Sequence, residues 1–416
     1  MHWHHGILGL FAFILIPWIL SEHRKGIQIK PVLIGLFTQI VLATIIMKAP
    51  FVRVPFELLG NGISALKSAT TAGTSFVYGY LGGGAAPFEV KEGASLFIFA
   101  FQALPMILVV GALSMLLFHW RILPIVVRGF SWILQRSLNI GGALGVAAAA
   151  KVFLGMTEAP LLIRPYLRDF SRSELFTIMT CGMATTSGTV MALYSTILEG
   201  TIQNPIAHLL TASIISVPAA ITISRIMIPQ MTESTSGQLV MPYRFSNWMD
   251  PIFRGATDGV QMIVNITAML IVVIALVSLT NKLLAVLPFI GGSALTLERM
   301  FGFFLAPITW LMGVPWSEAH VAAHLLGTKT VINEVIAFLE LAKLPPGALS
   351  PNSSLIMTYA LCGFANFSSI GIMVGGLGSL VPERRDEVIN LGVKCLIAGT
   401  LSTCLSGTII GLIHSF

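Results

Sequence analysis

The chain has 416 residues, 55% of them hydrophobic and only 10% charged, with a formal net charge of +6. A water-soluble globule of this size could not cover its surface with so few polar groups, so this composition excludes one and makes lipid the natural solvent. The basic excess is scattered through short loops, as membrane topology requires, and is not gathered into a nucleic-acid-binding face.

Apolar stretches near the ~20 residues that a spanning helix needs fall, for example, at 29–47, 96–118, 207–229 and 259–279. The opening stretch, 6–20, is also apolar. It lacks a basic leader and a small-residue cleavage site, which predicts a first span and not a cleaved signal. Arg24, Lys25 and Lys30 crowd the loop that follows. Short basic loops stay on the cytoplasmic side, so the N-terminus is expected outside. Residues 50–67 read as an interfacial amphipathic segment and 70–87, with Gly82-Gly83-Gly84, as a loop. A third span follows at about 96–118, and 121–136 reads as a second helix lying on the membrane surface.

From Asn139 the pattern changes. Residues 141–154 are apolar, rich in Gly and Ala and too short to cross, and they run into Gly155-Met156-Thr157-Glu158-Ala159-Pro160. A re-entrant hairpin or a broken helix reads this way. Residues 316–326 lead similarly into Gly327-Thr328-Lys329-Thr330-Val331-Ile332-Asn333-Glu334. Cys181-Gly182-Met183-Ala184-Thr185-Thr186-Ser187-Gly188 follows the first glutamate much as Cys362-Gly363-Phe364-Ala365-Asn366-Phe367-Ser368-Ser369 follows the second. This is a weak internal repeat, and paired interrupted segments point to a transporter's substrate site. The expected organisation is a scaffold over 1–136 and a transport unit over 137–416, with repeats at about 137–230 and 315–400 joined by a scaffold span.

Glu158 and Glu334 sit in apolar surroundings, where a charge costs about 2.5–3.5 kcal/mol unless a cavity or a partner receives it. Ion pairing with Lys151 or Lys329 for packing alone would offset the cost. So would two functional uses, accepting hydrogen bonds from a polyhydroxylated cargo or carrying a proton. Thr157, Asn333, Asn366, Ser368 and Ser369 add neutral donors and acceptors, a mixture suited to an uncharged polar ligand such as a sugar or nucleoside. An anionic substrate would call for an arginine cluster, and only Arg164 is near. No complete phosphate-binding loop is present, since Gly327-Thr328-Lys329-Thr330 matches only in part, so the chain's own ATP hydrolysis is not expected to drive it. His320 and His324 have i, i+4 metal spacing beside Glu318 but not the His-Glu-x-x-His order, and they read as helix-surface histidines. His2, His4 and His5 read as a mobile terminus. Cys181, Cys362, Cys395 and Cys404 lie in apolar segments; no disulfide, cysteine metal site or cofactor is expected.

Gly155 through Leu167, the run from Gly327 to Glu334, Phe364 through Ser369, and Gly73-Thr74-Ser75-Phe76-Val77-Tyr78-Gly79-Tyr80-Leu81-Gly82-Gly83 resemble the signature segments of the concentrative nucleoside transporters. The resemblance covers essentially the whole chain. It implies an all-α polytopic protein of about eight transmembrane helices, two opposed re-entrant hairpins in an inverted repeat and interfacial helices. It further implies a bacterial inner-membrane homotrimer that imports nucleosides by an elevator motion. By position, Gly155, Met156 and Thr157 would face the base, Glu158 would reach it through water, Val190 and Phe364 would line the pocket, and Glu334, Asn366 and Ser369 would hold the ribose.

Two departures stand out. Met156 replaces the family's usual glutamine, and a thioether cannot make the paired contacts of an amide, which leaves purine or pyrimidine preference open. Lys151 stands where sodium-coupled members carry an asparagine ligand, with Leu154, Thr185 and Thr186 as its expected partners. An ammonium there would repel sodium. The expectation is therefore that protons, not sodium, couple transport; facilitated exchange and a Lys151 that merely snorkels are the alternatives. Two other classes are weighed. An enzyme using both glutamates as acid and base lacks a nucleophile-and-base or metal constellation. A membrane sensor that has lost transport is the other.

Overall fold

The structure, a computed structural model, describes residues 3–89, 96–156, 158–240, 245–286 and 295–415. The secondary structure of the described residues is all helical, with short 3-10 turns and no strand. In chain order the helices are α1 (Trp3–Ile19), α2 (Ile29–Lys48), α3 (Pro50–Tyr78), α4 (Phe99–Gln102), α5 (Met106–His119) and α6 (Ile122–Leu138). Then follow α7 (Gly142–Ala150), α8 (Arg172–Ala184), α9 (Gly188–Ile197), α10 (Pro205–Met227) and α11 (Met249–Leu284). The last are α12 (Leu297–Leu311), α13 (Trp316–Val331), α14 (Glu334–Lys343), α15 (Pro351–Leu361), α16 (Phe367–Leu380) and α17 (Arg385–Ser415).

Among the described residues, six stretches are long and apolar enough to cross a bilayer: Ile29–Lys48, Phe99–His119, Arg172–Ile197, Pro205–Met227, Met249–Leu284 and Pro382–His414. Burial sorts them. The stretches that contain α8 with α9, α10 and α17 are wrapped by protein on nearly all sides, whereas α11 and α2 offer most of their apolar surface outward. A helix apolar all round with its surface outward needs lipid as its solvent. Around the buried posts pack α7, α13, α14, α15 and α16, and outside them lie α1, α2, α3, α5, α6, α11 and α12.

Two expectations from the sequence shift. The loop expected from residue 70 is instead helix as far as Tyr78, because α3 runs unbroken from Pro50. Thr70 and Thr71 hydroxyls donate to carbonyls one turn back, so these residues are absorbed by the helix and do not turn it. His5 lies within α1 and its ring stacks on Trp310 at 4.6 Å between centroids, so it belongs to a packed helix and not to a loose terminus; His2 lies outside the described residues.

The N-terminal ends of four helices are held by specific side chains. Asn333 caps α14 through Ile336 N–H, Asn366 caps α16 through Ser369 N–H, and Ser350 caps α15 through Ser353 N–H. Ser171 and Glu174 form a reciprocal capping box at the start of α8. Glu174 is itself buried and also accepts from the Thr235 amide and hydroxyl, both at 2.8 Å. Between α8 and α9 the chain runs without helix at Thr185–Ser187, and between α15 and α16 it bends through Cys362–Asn366. The two breaks cross at Gly363, where a Cβ would meet Met183 O at 2.9 Å and the Thr403 methyl at 2.8 Å. Only glycine allows that approach, and it sets the two interrupted helices against one another.

Candidate functional site

A cavity of about 800 Å³ opens where these breaks meet, within the ~300–1,000 Å³ of small-molecule sites. Its polar side is lined by Leu154, Gly155, Met156, Glu158, Val190, Tyr194, Glu334, Phe364, Asn366 and Ser369, together with Asn333 and Ser368. Every described residue expected from the sequence to touch substrate is thus brought to one space; Thr157 lies outside the described residues.

Glu334 is the best-held group in it. It is the first residue of α14, so its carboxylate sits at the positive end of that helix. Tyr194 OH donates to Oε1 at 2.6 Å and Asn366 Nδ2 to Oε2 at 2.8 Å. Asn366 in turn accepts the Ser369 amide at 2.8 Å and the Ser368 hydroxyl at 2.7 Å on its Oδ1. One asparagine therefore caps α16 and orients the glutamate, which fixes its amide the right way round. Tyr194 is the member that the sequence reading missed. It lies one helical turn after Val190 on α9, and that i, i+4 spacing is the signal that could have found it.

Glu158 is held differently. Among the described residues its Oε2 accepts only the Gly155 amide, at 3.0 Å, three residues back in the same turn. The packing alternative for the two glutamates is not what forms: neither makes an ion pair within 4 Å with Lys151 or Lys329. Lys329 instead donates to Ala360 O at 2.7 Å and Thr403 Oγ1 at 3.1 Å, covering the carbonyl end of α15 at its break. Lys151 donates to Met156 O at 2.5 Å and reaches Gly155 O at 3.5 Å.

Three residues expected around a cation position behave otherwise. Lys151, Thr185 and Thr186 do not line the cavity. Thr185 Oγ1 donates to Cys181 O at 2.8 Å, and Thr186 Oγ1 pairs with Ser213 Oγ at 3.1 Å and Cys362 Sγ at 3.5 Å. Neither threonine meets the Lys151 ammonium, whose hydrogen bonds go to the tip of its own turn. Of the histidines with metal spacing, His320 meets the Trp316 ring edge to face and His324 lies 3.6 Å from Glu340, while Glu318 accepts the Ser350 amide and hydroxyl.

The sequence matches the family descriptions "Na+ dependent nucleoside transporter N-terminus" over residues 8–81, "Nucleoside recognition" over 100–200 and "Na+ dependent nucleoside transporter C-terminus" over 208–411. It is 33% identical to the nucleoside permease NupC of Helicobacter pylori, across 98% of this chain and 96% of that one. The chain belongs to the concentrative nucleoside transporter family. An uncharacterized transporter of Haemophilus influenzae is 37% identical over 98% of this chain and 96% of its own length. Rat sodium/nucleoside cotransporter 1 is 31% identical over 98% of this chain and 63% of its own. CNTnw in an inward-facing substrate-bound state superposes with a TM-score of 0.90 at 33% identity, covering 99% of this chain and 98% of that one. A doubly substituted CNTnw in an outward-facing state gives 0.89, covering 100% and 98%.

These relatives are transporters and not enzymes. They also correct the expectation about the coupling ion. The family is described as Na+ dependent and the rat relatives are named sodium/nucleoside cotransporters, so the expectation of protons with sodium doubtful does not stand. The partners expected for the Lys151 ammonium do not form either, since Lys151 makes no hydrogen bond to Thr185, Thr186 or Leu154.

Proposed function

We propose that this chain carries nucleosides inward across a bacterial inner membrane, with its N-terminus outside. The observation that carries the reading is the arrangement at Glu334, a buried carboxylate aimed by Tyr194 and Asn366 into a cavity that also holds Glu158. Two acceptor oxygens fixed side by side suit the vicinal hydroxyls of a ribose, with Asn366 and Ser369 completing the contact. Gly155, Met156, Thr157 and Glu158 then face the base, with Val190 and Phe364 against its plane. Met156 can only pack against a base, where an amide would pair with it.

In this reading residues 137–416, apart from the scaffold span that joins the two repeats, act as a transport unit moving against residues 1–136 like an elevator, in a homotrimer of eight-span protomers. The segments around Glu158 and Glu334 are the tips of two re-entrant hairpins in an inverted repeat. Support comes from the match of this chain to both inward- and outward-facing CNTnw. Coupling is to a cation gradient, and sodium is the ion that the family description carries.

The test is uptake of labelled uridine and adenosine into proteoliposomes under an inward sodium gradient, beside Glu334→Gln. The native protein is expected to accumulate both, and the variant to fall by roughly a hundredfold, since two charge-assisted hydrogen bonds of about 1.5–3 kcal/mol each weaken at once. Uptake no faster than in protein-free liposomes, or a Glu334→Gln protein that transports like the native one, defeats the reading.

A further inference from the structure

The cavity has a second wall. Opposite the helix breaks it is closed by α5 and α11, and there the lining is apolar except for Ser114 and three residues of α11: Asp258, Gln261 and Asn265. These stand at i, i+3 and i+7, so they form one stripe about 10 Å long at ~1.5 Å per residue.

Packing does not account for the stripe. What seats α11 on α5 is glycine: a Cβ on Gly255 would lie 2.4 Å from Gly111 O, and one on Gly259 would lie 3.1 Å from Leu108 Cα. Asp258 accepts no hydrogen bond among the described residues; Arg254, one turn earlier, attracts it, and Glu158 across the cavity is close enough to repel it. Gln261 Nε2 donates to Asn265 Oδ1 at 3.1 Å, which orients the Gln261 carbonyl oxygen and the Asn265 amide away from that bond. A carboxylate and two amides on a helix with this much outward-facing apolar surface are costly unless something in the cavity uses them.

We infer that Asp258, Gln261 and Asn265 form the opposite half of the nucleoside site, with Asp258 accepting a hydrogen bond from a base N–H. This deepens the carrier reading and rests on it. A carboxylate accepts and never donates, so it selects the donor edge of its ligand. Glu334 and Asn366 take the ribose from the far wall, while Asp258, which lines the same cavity as Glu158 and is near enough to repel it, is assigned to the base side. A nucleoside between the walls has both faces satisfied; against an apolar α11 it would lose hydration on one face without replacement. The stripe is thus a specificity element on the wall that α5 anchors, separate from the two breaks.

The inference is tested with Asp258→Ala in proteoliposomes, measuring the half-saturation concentration for uridine and adenosine and for N3-methyluridine and purine riboside, which lack the base N–H. The variant is expected to raise it about tenfold for the first pair and to leave the second pair within about twofold, the difference being one charge-assisted hydrogen bond. An equal rise for all four places the contact elsewhere and overturns the assignment. So does no rise, or a fall in maximal rate alone. Should Asp258→Ala fail to reach the membrane, Asn265→Leu asks the same of the stripe, with a rise of about threefold expected and an unchanged value counting against it. Native protein that takes up no nucleoside defeats the carrier reading itself. That result is distinct from native uptake that ignores Asp258, which defeats only this inference.

Discussion

The two glutamates at the two helix breaks are the same residue in related settings, yet they are held in opposite ways. Glu334 is gripped from α9 by Tyr194 and from α16 by Asn366, two elements far away in sequence. Glu158 is gripped, among the described residues, only by Gly155, three residues back. The first carboxylate cannot move without disturbing three helices, and the second can swing with its own turn. In the carrier reading proposed above, the difference would separate a fixed anchor for the invariant part of a ligand, the ribose, from an adjustable contact for the variable part, the base. Preorganised contacts give affinity by removing the cost of ordering, and adaptable ones give tolerance.

Breaking the grip on Glu334 should have the larger effect. Tyr194→Phe removes one donor from a buried carboxylate while keeping the ring that packs against Phe338 at 4.9 Å. A charged buried acceptor left short of a partner costs about 1–3 kcal/mol, so uptake of uridine and adenosine should fall together by roughly ten- to hundredfold. Unchanged uptake of both would mean that Asn366 alone positions the carboxylate. Glu158→Gln tests the other half of the contrast. Its side chain gives up one contact to its own turn, so the expected change is smaller, about three- to tenfold in half-saturation, and unequal between uridine and adenosine. An equal loss for both nucleosides would make Glu158 as much an anchor as Glu334 and erase the distinction drawn here.

Much of the polar wall was legible in the sequence because its parts are local. Gly155–Glu158, Asn333–Glu334 and Asn366–Ser369 each announce themselves as polar residues interrupting an apolar run, and a charge in such a run needs a reason. What was not legible depends on approach between distant elements. Tyr194 looks like any aromatic on an apolar helix face until α14 brings Glu334 to it. Asp258 looks like a charge near a span end until α5 and α11 close on each other through Gly111 and Gly255. Lys151 was misjudged for the same reason. Its distance to Thr185 and Thr186 depends on how the turn after α7 folds, and that turn brings the Met156 carbonyl to the ammonium first. The Thr70–Tyr78 segment was misread because threonines and glycines suggest a loop, and burial of Thr70 and Thr74 on the protein side of α3 overrides that weak local preference.

A third carboxylate shows whether it is the number of partners or the exclusion of water that makes such a group matter. Glu22, in the turn between α1 and α2, meets more charge than either site glutamate, accepting from Arg172 at 3.0 Å and from Lys394 at 2.5 Å, and Arg172 also reaches Glu387 at 3.5 Å. Yet its side chain keeps 21% of its exposure. The Arg172 hydrogen bond, helped by Lys394, holds its carboxyl down to about 2. A depressed carboxyl means that the folded protein binds fewer protons than the unfolded chain below the ordinary value near 4.5. Its contribution to stability is therefore complete above that value and is lost as pH falls towards 2. Glu22→Gln should accordingly lower the thermal midpoint of the detergent-solubilised protein by only a degree or two at pH 7, since partly exposed pairs contribute about 0–1 kcal/mol, and the gap from the native protein should close as the pH is taken below 4. A gap that persists unchanged into acid would mean that Glu22 acts through packing and not through its charge. Nucleoside half-saturation should not move at all, because two charged partners in reach of water weigh less on the site than a tyrosine hydroxyl shut away from it.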